Sequence, residues 1–384
     1  MSRNKSILLL SVGHACVDVY QGSVAALVPF FVAERAYGYA AASGIVLAAS
    51  LLSSVAQPLF GAVTDRRPVP WLLPVSTVLG GLGVALSGVA GSYALTLVFV
   101  AVSGIGVAAY HPESARIARI ASGGSHTAMG WFSLGGNIGF AVAPLAVGAV
   151  VAAGGLRLSP LLVVPALVGS VLCLPVLRAL APRGGGGRAA AGGGVDDLAS
   201  FGRLTAAVVF RSVVFVGLST FLSLYARQRV GGGAAAGSAA LFLLYLGGAA
   251  GTVLGGRLAG RWGRIAVMRR SYLCTVCAVA GVVLVPGPAF FGFVLLTSAC
   301  LYVPFSLHIT LAQDYLPNRV GTAGGVTLGL SVSVGGIAAP LIGVVADHTS
   351  LRTALVPLIA LPALAWLATR SLRPPLADQG PKWT

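Results

Sequence analysis

His14 and Asp18 stand four residues apart inside a long apolar run, so on a helix both side chains project from one face. At 1.5 Å per residue Asp18 lies roughly 16 Å into that run, near the middle of a bilayer. A carboxyl in a low-dielectric setting is costly to ionise, a property that suits a proton carrier. Asp18 is expected to bind and release a proton, with His14 tuning it or hydrogen-bonding a cargo. The alternative is an interhelical hydrogen-bonded pair that only holds the fold.

A second group is His111, Glu113 and Arg116, with Pro112 among them. Glu113 and Arg116 are three apart and can pair across one helical turn, while Pro112 removes a backbone donor and can kink the helix. Protonation of Glu113 would free Arg116, whose planar fork suits a phosphonate or carboxylate. A plain salt bridge at a helix end is the competing reading. Arg211 lies about ten residues into another apolar run with no acid nearby in sequence. It is expected to face a water-filled cavity or an anionic ligand, or else to snorkel toward an interface. Asn137 and His308 are polar residues inside apolar runs; each is a candidate cargo contact or an ordinary interhelical hydrogen bonder.

The elements that carry these residues follow from composition. Of 384 residues 57% are hydrophobic, and only 25 are basic and 9 acidic. A soluble domain has about 25% charged residues, so a water-soluble enzyme is excluded, as is disorder. The formal charge of +16 sits between apolar runs, which favours membrane topology over a nucleic-acid partner. At roughly 20 apolar residues per crossing, twelve spans are expected, near 7–33, 41–63, 71–91, 94–117, 127–152, 159–180, 201–226, 238–258, 266–285, 289–312, 321–346 and 351–370. Between the sixth and seventh lies a Gly/Ala-rich linker at 183–200. It divides an N-terminal six-helix bundle, 1–182, from a C-terminal one, 201–384. With the N-terminus inside, nineteen basic residues fall on the inner side and five on the outer, Arg211 being within a span. Both termini are expected in the cytoplasm. Cys274 and Cys277 have the spacing of a redox motif without a second pair or a nearby His, so ordinary helix packing is expected of them.

The two halves repeat. Gly61-Ala-Val-Thr-Asp65-Arg66 after span two is echoed by Gly256-Arg-Leu-Ala-Gly260-Arg261 after span eight, an offset of 195. His111 and His308 are 197 apart, Pro144 and Pro340 are 196 apart. A duplicated six-helix unit in parallel orientation is the expected all-α fold.

The Gly-x-x-x-Asp-Arg pattern resembles the signature loop of the major facilitator superfamily, with Pro68 where a Gly is usual and Gly260 in place of the second Asp. The block Tyr110-His111-Pro112-Glu113-Ser114-Ala115-Arg116 resembles the fosmidomycin-resistance subgroup of that superfamily. His14-x-x-x-Asp18, Gln57-Pro58, Gly135-Gly136-Asn137, Leu316-Pro317 and Ala346-Asp347-His348-Thr349-Ser350 agree with it. The Gly/Pro run from Gly135 to Gly148 resembles the antiporter motif of the superfamily, with Ala143 at a usual Gly. The resemblance implies a twelve-span major facilitator fold and proton-coupled efflux of a small organic anion of the fosmidomycin type. It implies that Asp65 and Arg66 gate the cytoplasmic side, the alternative being a solvated turn. Uptake or export of an unrelated metabolite is the main competitor. A channel or membrane-embedded enzyme lacks its motifs: there is no filter-like loop, no nucleotide-binding loop and no catalytic pair. The expected partners are a small anion, protons and lipid, with no cofactor, no metal and a monomeric state; the expected location is the inner (cytoplasmic) membrane.

Overall fold

A computed structural model of the chain describes residues 3–66, 69–122, 126–180 and 195–375, without the side chains of some residues within the helices. The described secondary structure is helical. The first half comprises α1 (Arg3–Arg35), α2 (Tyr39–Arg66), α3 (Leu72–Ser87), α4 (Tyr93–Ser122), α5 (His126–Gly154), and a tight 3-10 stretch, Leu156–Val163, running into α6 (Val164–Leu180). The second half comprises α7 (Leu198–Val230), α8 (Gly233–Trp262), α9 (Arg264–Leu284), α10 (Ala289–Tyr302), α11 (Phe305–Tyr315), α12 (Val320–His348), α13 (Leu351–Leu355) and α14 (Leu361–Thr369). Each of the twelve expected spans coincides with a helical stretch. Ten are long and apolar enough to cross a membrane, and Leu72–Ser87 and Val334–His348 are shorter apolar segments. The chain is an all-α, multi-pass membrane protein.

Three spans are broken where proline removes backbone donors. The tenth breaks between α10 and α11 at Pro304, the twelfth around Pro357, and the sixth begins as the 3-10 stretch containing Pro160. In a bilayer the freed backbone groups need partners from within the protein. At the sixth span Tyr20 of α1 supplies them: its hydroxyl donates to the Leu162 carbonyl at 2.9 Å and accepts from the Ala166 N–H at 2.6 Å.

Small residues bring the helices together. Gly135 and Gly139 of α5 lie directly against the backbone of Ser11 and Ala15 on α1, where any side chain would collide with main chain. Gly247, Gly251 and Gly255 of α8 pack in the same way against α10 and its end at Val303. The outward faces carry Leu8, Val55, Leu59, Trp71 and Leu341, all more than half exposed, as lipid-facing side chains should be. Cys274 and Cys277 belong to this outer surface. That corrects the expectation that they pack between helices: at a spacing of three they share the face of α9 turned away from the bundle.

The linker expected at 183–200 falls mostly on 181–194, outside the described residues. Its last residues are anchored. Asp197 caps α7 by accepting the Ser200 N–H at 2.9 Å, a hydrogen bond that also holds its carboxyl below the usual carboxylate range. Asp196 faces Arg319 at 3.4 Å, and Arg264 pairs with Asp314 at 2.6 Å. Both acid–base pairs lie at the end of the bundle that carries the N-terminus.

The two halves meet through α2 against α12, α5 against α8 and α1 against α7. Polar contacts between them gather at the opposite end. The Asp347 carboxylate, at the close of α12, accepts the N–H groups of Tyr39 and Ala40 at 2.7 and 2.9 Å, capping the start of α2. Gly343 lies one turn earlier against the Ala40 backbone, and the Arg227 guanidinium stands over the Phe30 ring at 5.1 Å. An acid at a helix N-terminus contributes about 0.3–1 kcal/mol when exposed, as Asp347 is. Asp347→Ala is therefore expected to shift the population toward separation of α2 and α12 by roughly 2- to 5-fold. Distances between spin labels placed on those two helix ends would read the shift; an unchanged distribution would show that the cap does not hold the halves together.

Candidate functional site

Asp18 is the meeting point of the first half. Its two carboxylate oxygens face different imidazoles: His14 Nε2 stands 3.3 Å from Oδ2 and His111 Nε2 stands 3.5 Å from Oδ1. The i, i+4 spacing on α1 places the first pair, and α4 brings the second from a distant part of the chain. Asp18 is 8% exposed, and its Oδ1 has no hydrogen-bond partner among the described residues. His14 is fixed from behind, with its ring stacked on Phe132 at 4.3 Å and its Nδ1 bonded to the Phe132 carbonyl at 2.9 Å. Because a carbonyl only accepts, Nδ1 carries the proton. In a neutral His14 ring, Nε2 then turns a lone pair toward the carboxylate. A positive charge, by protonation or otherwise, resolves that conflict.

Gly136 of α5 supplies the floor of this centre. A Cβ there would strike Asp18 Oδ2 and come within 2.7 Å of His14 Cε1. The expected result of Gly136→Ala is displacement of both side chains and loss of at least about tenfold in transport, the scale set when a supporting residue loosens a site's geometry. Uptake by vesicles carrying matched amounts of the variant would measure it, and wild-type rates would remove Gly136 from the site. Asn137, beside it, is half-buried.

Two residues past His111, and so on a different face of α4, Glu113 is fully buried and forms a two-pronged ion pair with Arg116, Nε to Oε2 at 2.9 Å with a second bond beside it. The pair expected from the spacing is present and closed. Pro112 lies inside α4 between these groups.

The second half holds a cationic centre. Arg211 of α7 is 2% exposed, so it does not snorkel. Its guanidinium lies over Tyr302 at 5.3 Å and Phe305 at 5.0 Å, with one weak bond to the Leu301 carbonyl at 3.4 Å. Among the described residues no carboxylate pairs with it, and its Nε has no partner. His308, one turn past Phe305, bonds the Tyr272 hydroxyl through Nε2 at 2.8 Å, leaving Nδ1 without a partner. His14 and Arg211 are 197 residues apart, the same offset as His111 and His308. Positions at this shared offset thus carry an imidazole–carboxylate cluster in the first part of the chain and a guanidinium in the second.

Asp65 and Arg66 end α2, and their side chains lie outside the described residues. Phe132, Gly136, Asp347 and the aromatic cradle of Arg211 were not singled out as site residues from the sequence. Gly136 and Asp347 stand within the motifs that carry the family resemblance; the others are apolar residues or tyrosines in apolar runs, with no local signal. A cleft of about 880 Å³ lies between Gly256, Trp262, Arg264, Arg269 and Pro374, and none of the two centres' residues lines it.

A family model described as Major Facilitator Superfamily matches residues 10–340. The chain belongs to the major facilitator superfamily. Among curated proteins it is 29% identical over 376 residues to the fosmidomycin resistance protein of Escherichia coli (strain K12), covering 93% of this chain and 90% of that one. It is likewise 29% identical over 380 residues to YfnC of Bacillus subtilis (strain 168), an uncharacterised MFS-type transporter, covering 94% and 91%. In fold it resembles a bacterial homologue of the human lysosomal transporter Spinster, solved in an inward-facing and occupied conformation, with TM-score 0.77 at 15% identity over 96% of each chain. As a superfamily member the chain is a membrane transporter rather than an enzyme, and its cargo is a small molecule.

Proposed function

We propose that the protein exports a small organic anion across the cytoplasmic membrane in exchange for protons, as a monomer with both termini in the cytoplasm. The observation that carries this reading is Arg211, a buried guanidinium with an unpartnered Nε and no carboxylate beside it among the described residues. A charge in that setting is costly unless an anionic ligand completes it. His308 offers a further polar atom one turn past Phe305, and Arg116 becomes available when Glu113 is protonated and the ion pair opens. Asp18 and Glu113 are the proton carriers in this scheme, and His14, His111 and Asn137 contact cargo or tune Asp18. The bundles 1–182 and 201–384, joined by the 183–200 linker, rock about a midplane site. Asp347 holds the outer side closed, and Asp65 and Arg66 gate the inner side. The basic-residue asymmetry supports the orientation, and the likeness to a fosmidomycin resistance protein supports phosphonate efflux.

Inverted vesicles energised to an acidic, positive interior and loaded with a pH-sensitive dye test the proposal. Proton release on adding fosmidomycin or another phosphonate or carboxylate is the expected response. A response to cations alone would move cargo recognition from Arg211 to the acids, and silence to every compound would overturn the exchange reading.

A further inference from the structure

We infer that His14, Asp18 and His111 form a three-ligand site for a divalent transition-metal ion. Each residue offers one ligand atom, and these atoms all lie within 4.8 Å of one another. The separations are longer than direct charge-assisted hydrogen bonds. A direct charge-assisted N–H···O bond would be about 2.7–2.9 Å. Two ligands about 2.0–2.1 Å from a shared tetrahedral ion stand roughly 3.3–3.4 Å apart. The observed 3.3 and 3.5 Å, from the two imidazoles to the two separate oxygens of the Asp18 carboxylate, are closer to the second spacing, and small side-chain rotations would bring one oxygen and both Nε2 atoms around one ion.

The tautomer agrees. With Nδ1–H committed to the Phe132 carbonyl, His14 presents the Nε2 lone pair to the centre, and the backbone contact orients the ring as the outer partners of metal-bound imidazoles do. Asp18 Oδ1 is buried with no hydrogen-bond partner among the described residues and stands 3.5 Å from His111 Nε2. Two imidazoles and one carboxylate favour the zinc, cobalt and nickel class over magnesium or calcium, which prefer oxygen donors. The three side chains keep 12, 12 and 22% of their surface accessible, which leaves a path for the ion and a fourth position for an oxygen of water or cargo. This deepens the exchange reading at the same cluster and rests on it only in naming the cargo as an anion able to ligate a metal. A proton and the metal would compete for the same lone pairs.

The test uses full-length protein in nanodiscs, stripped with chelator and titrated with cobalt(II) chloride. One equivalent is expected to bind with the visible absorption of a four-coordinate site and to be displaced by zinc. His111→Gln and Asp18→Asn should each weaken binding by more than about 100-fold, since loss of mere outer-shell support costs 10- to 100-fold. Monodisperse elution and unchanged helical circular dichroism of either variant show that the loss is local; one folded variant suffices. No stoichiometric binding by wild type, or equal binding by the folded variants, overturns the metal site. Cobalt binding without anion–proton exchange supports the metal site and defeats the exchange reading, and exchange without cobalt binding does the reverse.

Discussion

Asp18→Asn is expected to lower proton-driven transport by on the order of 100-fold or more, the scale of losing a positioned proton-transfer group. Asn keeps the volume and hydrogen-bonding reach of Asp but cannot exchange a proton. Because the native carboxylate is 8% exposed between two imidazoles, removing its charge relieves desolvation while removing a partner, so little change in folding stability is expected. Proton release from energised vesicles is the measurement, with protein amount and melting temperature as controls. If Asp18→Asn and Glu113→Gln both keep full proton-driven transport, neither acid carries the proton and the assignment fails.

Arg211→Gln is expected to weaken apparent affinity for the anion by about 2–5 kcal/mol, roughly 30- to 5,000-fold, the cost of removing one partner from a buried charge pair. Without cargo the sign reverses. Arg211 has an unpartnered Nε and no carboxylate neighbour among the described residues, so replacing it removes an uncompensated buried charge. The melting temperature of cargo-free Arg211→Gln should equal or exceed that of wild type, while stabilisation by added anion should disappear. A variant that is destabilised yet binds anion normally would make Arg211 a structural residue held by Tyr302 and Phe305.

The aromatic cradle explains how such a charge persists. Two rings near 5 Å from the guanidinium supply cation–π attraction of about 2 kcal/mol or more when desolvated. This is below the cost of burying an isolated ion, several kcal/mol, and an anionic cargo would supply the remainder.

Much of the architecture was legible in the sequence, because in a bilayer length and hydropathy are nearly the whole specification of a span. The apolar runs marked twelve spans, each of which coincides with a helical stretch, and the near-constant offset is what points to duplication. Short-range spacing gave two contacts that the structure contains, His14 with Asp18 and Glu113 with Arg116, since i, i+3 and i, i+4 neighbours meet on any helix. The sequence could not say that His111 reaches the same carboxylate, because that depends on how α4 leans on α1. Nor could it reveal the Phe132 carbonyl that fixes the His14 tautomer, the outward face of Cys274 and Cys277, or the aromatics under Arg211. Asp347 was visible only as part of a family motif; its bond to the start of α2, 307 or more residues away, exists only where the two halves dock. Sequence determined the helices and their local pairs through periodicity and the cost of polar groups in lipid. Tertiary packing alone decided which polar residues converge, because convergence depends on helix rotation and crossing, which no local spacing encodes.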